Sequence, residues 1–595
     1  MSELAPERTI GSVIRALAAD RPNAPAIVGS HFALVSYSEL LRQIDDVRAN
    51  LRAAGFDQNA RIAIAIANPA QATLAIVAIS CSATAVPIDP KLTVPEVDRC
   101  LKILRPDAVV ALRDTASTAR DVAKQRRLPI IEARVTQPGR LDLTYDLPKI
   151  GSALPPDEPN PHTPIFILHT SGTTADPNLV PFSHRNMLAV TERLQTWFGL
   201  TPQDRCLTVS PVYYSHALTT AVLPPLLTGG STAFPANAVN VDPSEWFGDL
   251  KPTWYSAGPT LHLAVLEKLQ QRADARSMHS LRFVSSAGAP LAADMGQRMQ
   301  DVLGVPVLEH YGSSETAQIA TNRAPPGRSK PGTVGIPWPG IVSIVDDEGR
   351  ELPPGERGEI LIRGPSVTAG YLNAPELNLL SFIDGAYRTG DIGSLDADGF
   401  LSLHGRVKEL INRGGEKISP LEVDQALLRH SEVAQAAAYA VPHPRLGEDV
   451  AAAVILRPGA GVTPEALREF LTDKLAPFKI PHRIVVVDQL PKGISGKVQR
   501  KRLSEMMNGS VEGLAPVESR LHSDLMQIWK KILKIDAISV DDNFFEKGGD
   551  SLLAMDVSVE LERLTGKAQP EAILFEAPTI RQLVKRLTGE MGGHA

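Results

Sequence analysis

With only 3 cysteines in 595 residues, the chain cannot build a disulfide framework, and their positions lack the paired spacing of zinc ligands. Cys81, Cys100 and Cys206 fit a reducing compartment instead. Charge of one sign is missing too. The 61 Lys+Arg stand against 67 Asp+Glu, a net of −6, which argues against a general nucleic-acid binder with its strongly basic domain. Aromatic residues are sparse at 5%, but a hydrophobic content of 43% is ordinary for a globular protein and excludes disorder. No apolar run reaches the roughly 20 residues of a membrane span without interruption. The most membrane-like stretch, 62–86, contains Asn68, Pro69 and Gln71 and reads as a buried strand, a proline break and a buried helix. The first residues show no basic segment followed by an apolar one, so no signal peptide is expected. Neither a low-complexity tract nor a repeat of roughly 20–50 residues is visible. A soluble cytoplasmic protein, with no membrane and no nucleic-acid partner, is the expectation.

What is present is alternation. Short apolar runs (RIAIAIA, DAVVAL, TPIFILHT, RCLTVS, STAFPA, LRFVSSAG, VPVLEHYG) are spaced by helical segments, which predicts α/β layers around largely buried sheets. A charged, glycine-bounded stretch, GRVKELINRGGEKISP, marks a first boundary, after which an α+β unit begins with strands AAAYAV, AAAVIL and RIVVV. A small-residue stretch near 504–516 marks a second. The expected organisation is a large domain over 1–405, a smaller α+β domain over 406–503, a linker over 504–516 and an all-α four-helix domain over 517–590.

Five stretches carry chemistry. In ILHTSGTTADPNLVPFSH an apolar strand runs into Thr170, Ser171, Gly172, Thr173 and Thr174, where glycine admits a close ligand and clustered hydroxyls and amides can hold phosphate oxygens. Alone, such a loop is a surface turn more often than a phosphate site. SSAGAPL is a small-residue turn after a strand, and EHYGSSETA gathers an aromatic ring, a glycine, hydroxyls and a carboxylate after another. YRTGDIG places Asp391 in a tight turn, and LPKGISGKVQRK carries Lys497 on a glycine-flanked loop. Taken singly each has a plain reading: Lys497 a solvated surface lysine, Glu315 a carboxylate at a helix N-terminus, Asp391 a turn former, Tyr311 a core residue.

Together, in this order and spacing over about residues 10–505, these stretches resemble the adenylate-forming superfamily of acyl-CoA synthetases, luciferases and peptide-synthetase adenylation domains. GRVKELINRGGEKISPLEVD and PTWYSAGPTLH resemble its oxalate–CoA ligase branch in particular. The resemblance implies ATP and Mg²⁺. Thr170 to Thr174 would cradle the β- and γ-phosphates and Glu315 would hold the metal. Tyr311 would stack on adenine, with Gly288, Ala289 and Pro290 on the other face, and His310, Gly312, Ser313 and Ser314 would complete the nucleotide site. Asp391 would accept from the ribose hydroxyls, and Arg406 would support ribose and phosphate. Lys497 would place its ammonium between the acid and the phosphate, where charge develops in the transition state. Lys408 would be the hinge of a rotating small domain, and Gly414 and Gly415 would line a channel for a thiol. One departure stands out. The family's phosphate loop usually continues Gly-x-Pro-Lys-Gly, whereas this chain reads Ala175-Asp176-Pro177-Asn178-Leu179, without the lysine. A working enzyme is still expected, because Lys497, Glu315 and Arg406 remain.

The tail, DNFFEKGGDSLLAM followed by LFEAPTI, resembles an acyl/peptidyl carrier domain. Ser551 would then bear 4′-phosphopantetheine, added by a phosphopantetheinyl transferase; taken alone, Asp550 or Ser551 serves equally as a helix N-cap. In amino-acid-activating relatives an Asp after an aromatic residue binds the α-ammonium. SPVYYSHALTT has Tyr214 at the aromatic position and Ser215 in place of the Asp, which predicts a carboxylic acid without an α-amino group. Tyr214, Ser215, His216, Ser256, Gly258, Ser286 and Gln318 are the candidate acid pocket. An oxalate-like acid is one option, although Gln318 departs from that branch, and His216 has a plain alternative as a core histidine. The reading is ATP-dependent formation of an acyl adenylate, then thioester transfer to the chain's own carrier, with a downstream thioester-using enzyme on another chain. Two alternatives stay open: an acyl-CoA ligase releasing free acyl-CoA, and a catalytically silent carrier scaffold.

Overall fold

A computed structural model describes residues 8–30, 32–137, 143–155, 157–169, 178–238, 240–291, 293–492, 498–509, 516–533, 535, 538, 540, 542–549, 551–565 and 573–591. The chain folds into two units, one formed by 1–438 with 452–498, the other by 439–451 with 499–595.

The first unit is built on two large sheets. In the nine-stranded sheet the strands Val307–Ser313, Phe283–Ser286, Trp254–Ala257, Arg205–Thr208, Ser231–Phe234 and Pro25–Gly29 lie side by side and parallel, with antiparallel strands at both ends. In the seven-stranded sheet Ile130–Val135, Ala108–Leu112, Arg61–Ile64, Thr84–Pro87 and Pro164–His169 are parallel, and Leu179–Ser183 returns antiparallel to the last of them. Each of the seven apolar runs predicted as strands forms one.

Between the sheets lies helix Pro69–Ser80, which touches strands of both. That position explains a composition apolar all round, since a helix covered on every side has no need of a polar face. Asn68 starts it by accepting from the Gln71 amide at 3.0 Å, and Pro69 occupies the first turn, where its missing N–H costs nothing. Beyond its far end, buried Arg48 and Arg52 donate to the carbonyls of Cys81 and Ser82 at 3.0 and 2.7 Å. Among the described residues, no helix is long and apolar enough to cross a membrane.

A third sheet joins Val342–Val345, Gly358–Ile362, Ala386–Leu395 and Leu401–Arg406. It meets the nine-stranded sheet through the segment 333–337. Pro337 and Ile336 pair with Ala320 and Thr321 on one side, while Val334 and Gly335 exchange hydrogen bonds with Leu401 on the other, at 2.9 and 2.8 Å. Beyond Arg406 come the short turn Val407–Glu409, the hairpin Ile411–Arg413/Glu416–Ile418, helices Pro420–Leu427 and Pro464–Leu471 and strand Arg483–Val486, the elements of a smaller α+β domain.

In the second unit, helices Pro516–Leu533, Ser551–Thr565, Ile573–Glu576 and Ile580–Met591 enclose their own core. Leu525 and Trp529 face it one turn apart, as do Ala554, Val557 and Leu561 at helical spacing. Trp529 meets Phe544 edge-on, with ring centroids 4.9 Å apart. The first unit thus holds a large α/β domain and the elements of a smaller α+β domain, and the helices of the second form an all-α domain.

The sheet junction yields a test. Gly335 has φ +86°, and a Cβ there would stand 1.8 Å from the carbonyl carbon of Thr321. Gly335→Ala should therefore destabilise the first unit by at least about 2 kcal/mol, read as a lowered midpoint of its melting transition. An unchanged midpoint would mean the two sheets are not held through this segment.

Candidate active site

The candidate residues collect where a parallel sheet presents its ligands, at the carboxyl ends of adjacent strands. Trp254–Ala257 ends at Gly258, and Phe283–Ser286 runs into the exposed turn of Gly288, Ala289 and Pro290. Arg205–Thr208 leads toward Tyr214, Ser215 and His216, and Val307–Ser313 leads into Ser314 and Glu315. Strand Pro164–His169 stops just before Thr170. Thr170, Ser171, Gly172, Thr173 and Thr174 themselves lie outside the described residues, as does Lys497.

Glu315 is presented by a hairpin. Ser313 pairs with Ala317, so Ser314, Glu315 and Thr316 form the loop. A three-residue hairpin loop wants a left-handed residue at its end, and Ala317 supplies it at φ +53°, an uncommon conformation for a residue with a Cβ. The register slips between Tyr311 and Gly312, and a Cβ at Gly312 would lie 2.4 Å from the Ala317 carbonyl oxygen. Only glycine fits that close approach. Ser313 and Thr316 close the loop with hydroxyls 3.0 Å apart. Glu315 is 7% exposed. Its Oε1 accepts from the Tyr371 hydroxyl at 2.8 Å, and Tyr371 lies 3.3 Å from the hydroxyl of Tyr387. Burial first, and the Glu315 charge next, push both phenols well above their ordinary values, so they act as donors.

Asp391 and Arg406 stand opposite each other on the paired strands Ala386–Leu395 and Leu401–Arg406. Arg406 Nε donates to Asp391 Oδ1 at 2.8 Å, and the Tyr311 hydroxyl donates to Asp391 Oδ2 at 2.5 Å. Asp391 and Tyr311 are buried, whereas the Arg406 side chain is half exposed. Lys408 is exposed on the turn Val407–Glu409, and Gly414 and Gly415 are exposed between the strands of the small hairpin.

Around the candidate acid pocket the side chains are polar and uncharged. His216 stacks on His310, with ring centroids 5.5 Å apart and planes 13° from parallel. His310 is buried and its Nδ1 lies 2.7 Å from Ser285 Oγ. Burial pushes His216 and the neighbouring His262 down to about 4 and His310 well below its ordinary value, so all three are neutral at physiological pH. Ser215 Oγ lies 3.1 Å from Ser314 Oγ, and the Gln318 amide donates to Thr219 and Thr220. His216 Nε2, Ser256 Oγ, Ser286 Oγ and Gln318 Oε1 are buried without a hydrogen-bond partner among the described residues. Buried polar atoms normally have partners, so this concentration fits a place where a polar ligand completes the set.

Three residues escaped the sequence reading. Tyr371 lies outside the quoted stretches, Tyr387 opens YRTGDIG without being given a role there, and both reach Glu315 only through folding. Glu309 lies within EHYGSSETA but was assigned nothing there; its carboxylate accepts from the Leu291 amide, next to the turn of Gly288 to Pro290. Burial pushes it up to about 7.

Mg²⁺ suits this donor set. Among the described residues no three His, Cys, Asp or Glu gather as a protein-built metal cage. A single buried carboxylate is what that ion uses when nucleotide phosphates and water complete its shell.

Comparison with known proteins places these features. Residues 14–372 match the family model for AMP-binding enzyme, 422–497 that for the AMP-binding enzyme C-terminal domain, and 523–587 that for the phosphopantetheine attachment site. The chain is 34% identical over 508 residues to a probable CoA ligase, CCL9, of Humulus lupulus, covering 84% of this chain and 96% of that one. It is 35% identical over 435 residues to an oxalate–CoA ligase of Arabidopsis thaliana, covering 72% and 84%. Among solved structures it is similar to ATP-bound MatB from Rhodopseudomonas palustris, with a TM-score of 0.74 at 27% identity over 84% of this chain and 99% of that one.

Glu309 gives a pH test. Its folded-state value of about 7 lies above the ordinary 4.5, so between those values the folded chain holds a proton that the unfolded chain has released. Its contribution therefore becomes less favourable as pH rises through that window, and the cost is complete above about 7. Glu309→Gln should raise the melting temperature relative to the parent more at pH 8 than at pH 5. An equal difference at both would show that Glu309 is not held protonated.

Proposed function

Because the chain belongs to the AMP-binding enzyme family, we propose that it activates a carboxylic acid without an α-amino group and passes the acyl group to its own carrier domain. It is an adenylate-forming acid–thiol ligase that uses ATP and Mg²⁺ and carries 4′-phosphopantetheine. The observation carrying the finer reading is the fusion itself: adenylation domain, its C-terminal domain and a phosphopantetheine attachment domain follow one another in a single chain.

The residues divide the work as follows. Asp391, fixed by Tyr311 and Arg406, receives the ribose hydroxyls, a carboxylate having more lone pairs than its two protein partners occupy. Gly288, Ala289 and Pro290 line one face of adenine and Tyr311 the other, while His310, Gly312, Ser313 and Ser314 shape the strand end and hairpin beside it. Thr170 to Thr174 hold the phosphates, and Lys497 balances charge between acid and α-phosphate. Mg²⁺ on Glu315 supplies charge neutralisation of the phosphate oxygens. Tyr214, Ser215, His216, Ser256, Gly258, Ser286 and Gln318 bind the acid. Ser215 brings no carboxylate for an ammonium, and the neutral imidazoles favour a polar acid over an amino acid.

After adenylation the small domain turns at Lys408, withdrawing Lys497 and bringing Gly414 and Gly415 to the acyl adenylate. Ser551 opens a 15-residue helix, whose N-terminal amides suit the phosphodiester of phosphopantetheine. That arm supplies the thiol acceptor, and a short tether raises its local concentration to about the millimolar scale. A phosphopantetheinyl transferase, a cytoplasmic setting and a thioester-using enzyme on another chain complete the reading. The named CoA ligases among the relatives favour a second one, in which free CoA is the acceptor.

Intact-protein mass separates them. With a pantetheinyl transferase, CoA, ATP and a panel of acids, the parent should gain a phosphopantetheine increment and then that of one acid. Ser551→Ala should show neither, yet keep ATP–pyrophosphate exchange. Lys497→Ala should lose exchange by at least about 100-fold. Release of acyl-CoA by Ser551→Ala at the parent's rate would instead establish the free-CoA ligase.

A further inference from the structure

Glu315 is held by more than its own hairpin. Its Oε1 accepts from Tyr371, whose oxygen lies 3.3 Å from that of Tyr387. A phenol has one proton to give. Tyr371 gives its proton to the carboxylate, so Tyr387 must be the donor in the second bond. Tyr387 also interacts with the Glu315 carboxylate itself, so the two phenols support it together.

Both rings are buried and packed with Val180 and Phe382. The Tyr371 backbone is fixed from both sides by the Asn378 side chain, whose Oδ1 accepts its amide at 2.7 Å and whose Nδ2 donates to its carbonyl at 2.8 Å. The segment 368–372 reaches two further parts of the site. The Thr368 amide donates to the Glu315 carbonyl at 2.8 Å, and the Leu372 amide donates to the carbonyl of Leu179, at the head of the strand returning from the candidate phosphate loop, at 2.9 Å. The hairpin tip and that strand are therefore tied to one segment.

We propose that Tyr371, supported by Tyr387, is a positioning residue that ties Oε1 of Glu315 to the protein and so fixes the direction in which the carboxylate is offered to the divalent cation of the nucleotide complex. The proposal rests on Glu315 being the metal-facing carboxylate. An untethered carboxylate can turn about its last torsion and offer either oxygen or both. One with an oxygen occupied offers a single direction, which suits an ion that demands near-octahedral geometry. Groups that orient a metal ligand from behind typically change metal affinity by about 10–100-fold when removed.

The test is calorimetric titration of the full chain with ATP, in Mg²⁺ and separately in EDTA, for the parent, Tyr371→Phe, Tyr387→Phe and Glu315→Gln. Tyr371→Phe keeps the ring and its packing. It should weaken binding in Mg²⁺ by about tenfold while changing binding in EDTA by less than about twofold. Tyr387→Phe should show a smaller loss, also confined to Mg²⁺. Loss in both buffers alike would assign the tyrosines to packing and overturn the proposal. Parental affinity in Tyr371→Phe, with Glu315→Gln impaired in Mg²⁺ only, would overturn the positioning role while keeping Glu315 as the metal-facing group. Parental affinity in Glu315→Gln, or a parent indifferent to Mg²⁺, would remove both.

Discussion

The carboxylate of Asp391 is the point on which the proposed nucleotide half of the site depends. Its two oxygens are bound by groups from two different sheets: Tyr311 at the end of a strand in the nine-stranded sheet, and Arg406 from the strand paired beside it in the smaller sheet. Because Tyr311 is buried, its hydroxyl would be costly to leave unpaired, and the bond to a charged acceptor is among the stronger kinds. The two sheets are thereby held at a defined separation at the place where ribose is proposed to sit. Leu401 makes a second tie farther along the same strand, through Val334 and Gly335. A site assembled across two sheets needs at least two such ties, since a single one leaves rotation about itself open.

The same logic explains what could be read from the amino-acid sequence and what could not. Apolar runs such as DAVVAL and TPIFILHT reveal strands because burial on both faces leaves a composition that local inspection recovers. The stretch 62–86 resolves as strand, break and helix for an equally local reason: Asn68 and Pro69 are the start signals of a helix. Asp391, Glu315 and Tyr311 were legible because each sits inside a stretch with its own glycine and hydroxyl signature. Tyr371 had none, and Tyr387 stands at the head of YRTGDIG, a stretch whose signature points to Asp391. Their roles come from a contact spanning 56 residues in one case and from a hydroxyl-to-hydroxyl contact in the other. A tyrosine that donates to a buried carboxylate and one that only fills space have the same local sequence. The histidines are an intermediate case: His216 and His310 were both singled out, but their stacking and loss of charge follow from burial that no local pattern displays.

Adenylation sets an electrostatic problem of its own, because a carboxylate must approach a polyphosphate. In the described part of the site little positive charge is available. Arg406 is paired with Asp391, Asn178 stands where the family's loop lysine would, and His216 and His310 are neutral. A guanidinium paired with a carboxylate keeps further N–H donors, so Arg406 orients oxygen atoms more than it neutralises them. On the proposed reading the balance of charge then rests on two components that come and go, Lys497 on the small domain and the cation carried by the nucleotide. A chain with a fixed lysine in its phosphate loop would hold pyrophosphate after the acyl adenylate had formed. On that reading, with Asn178 there, a rotation that withdrew Lys497 would remove attraction for pyrophosphate as it opened the way for the thiol. On the same reading the missing lysine would cost attraction while ATP is bound and would ease emptying of the site before the second half-reaction.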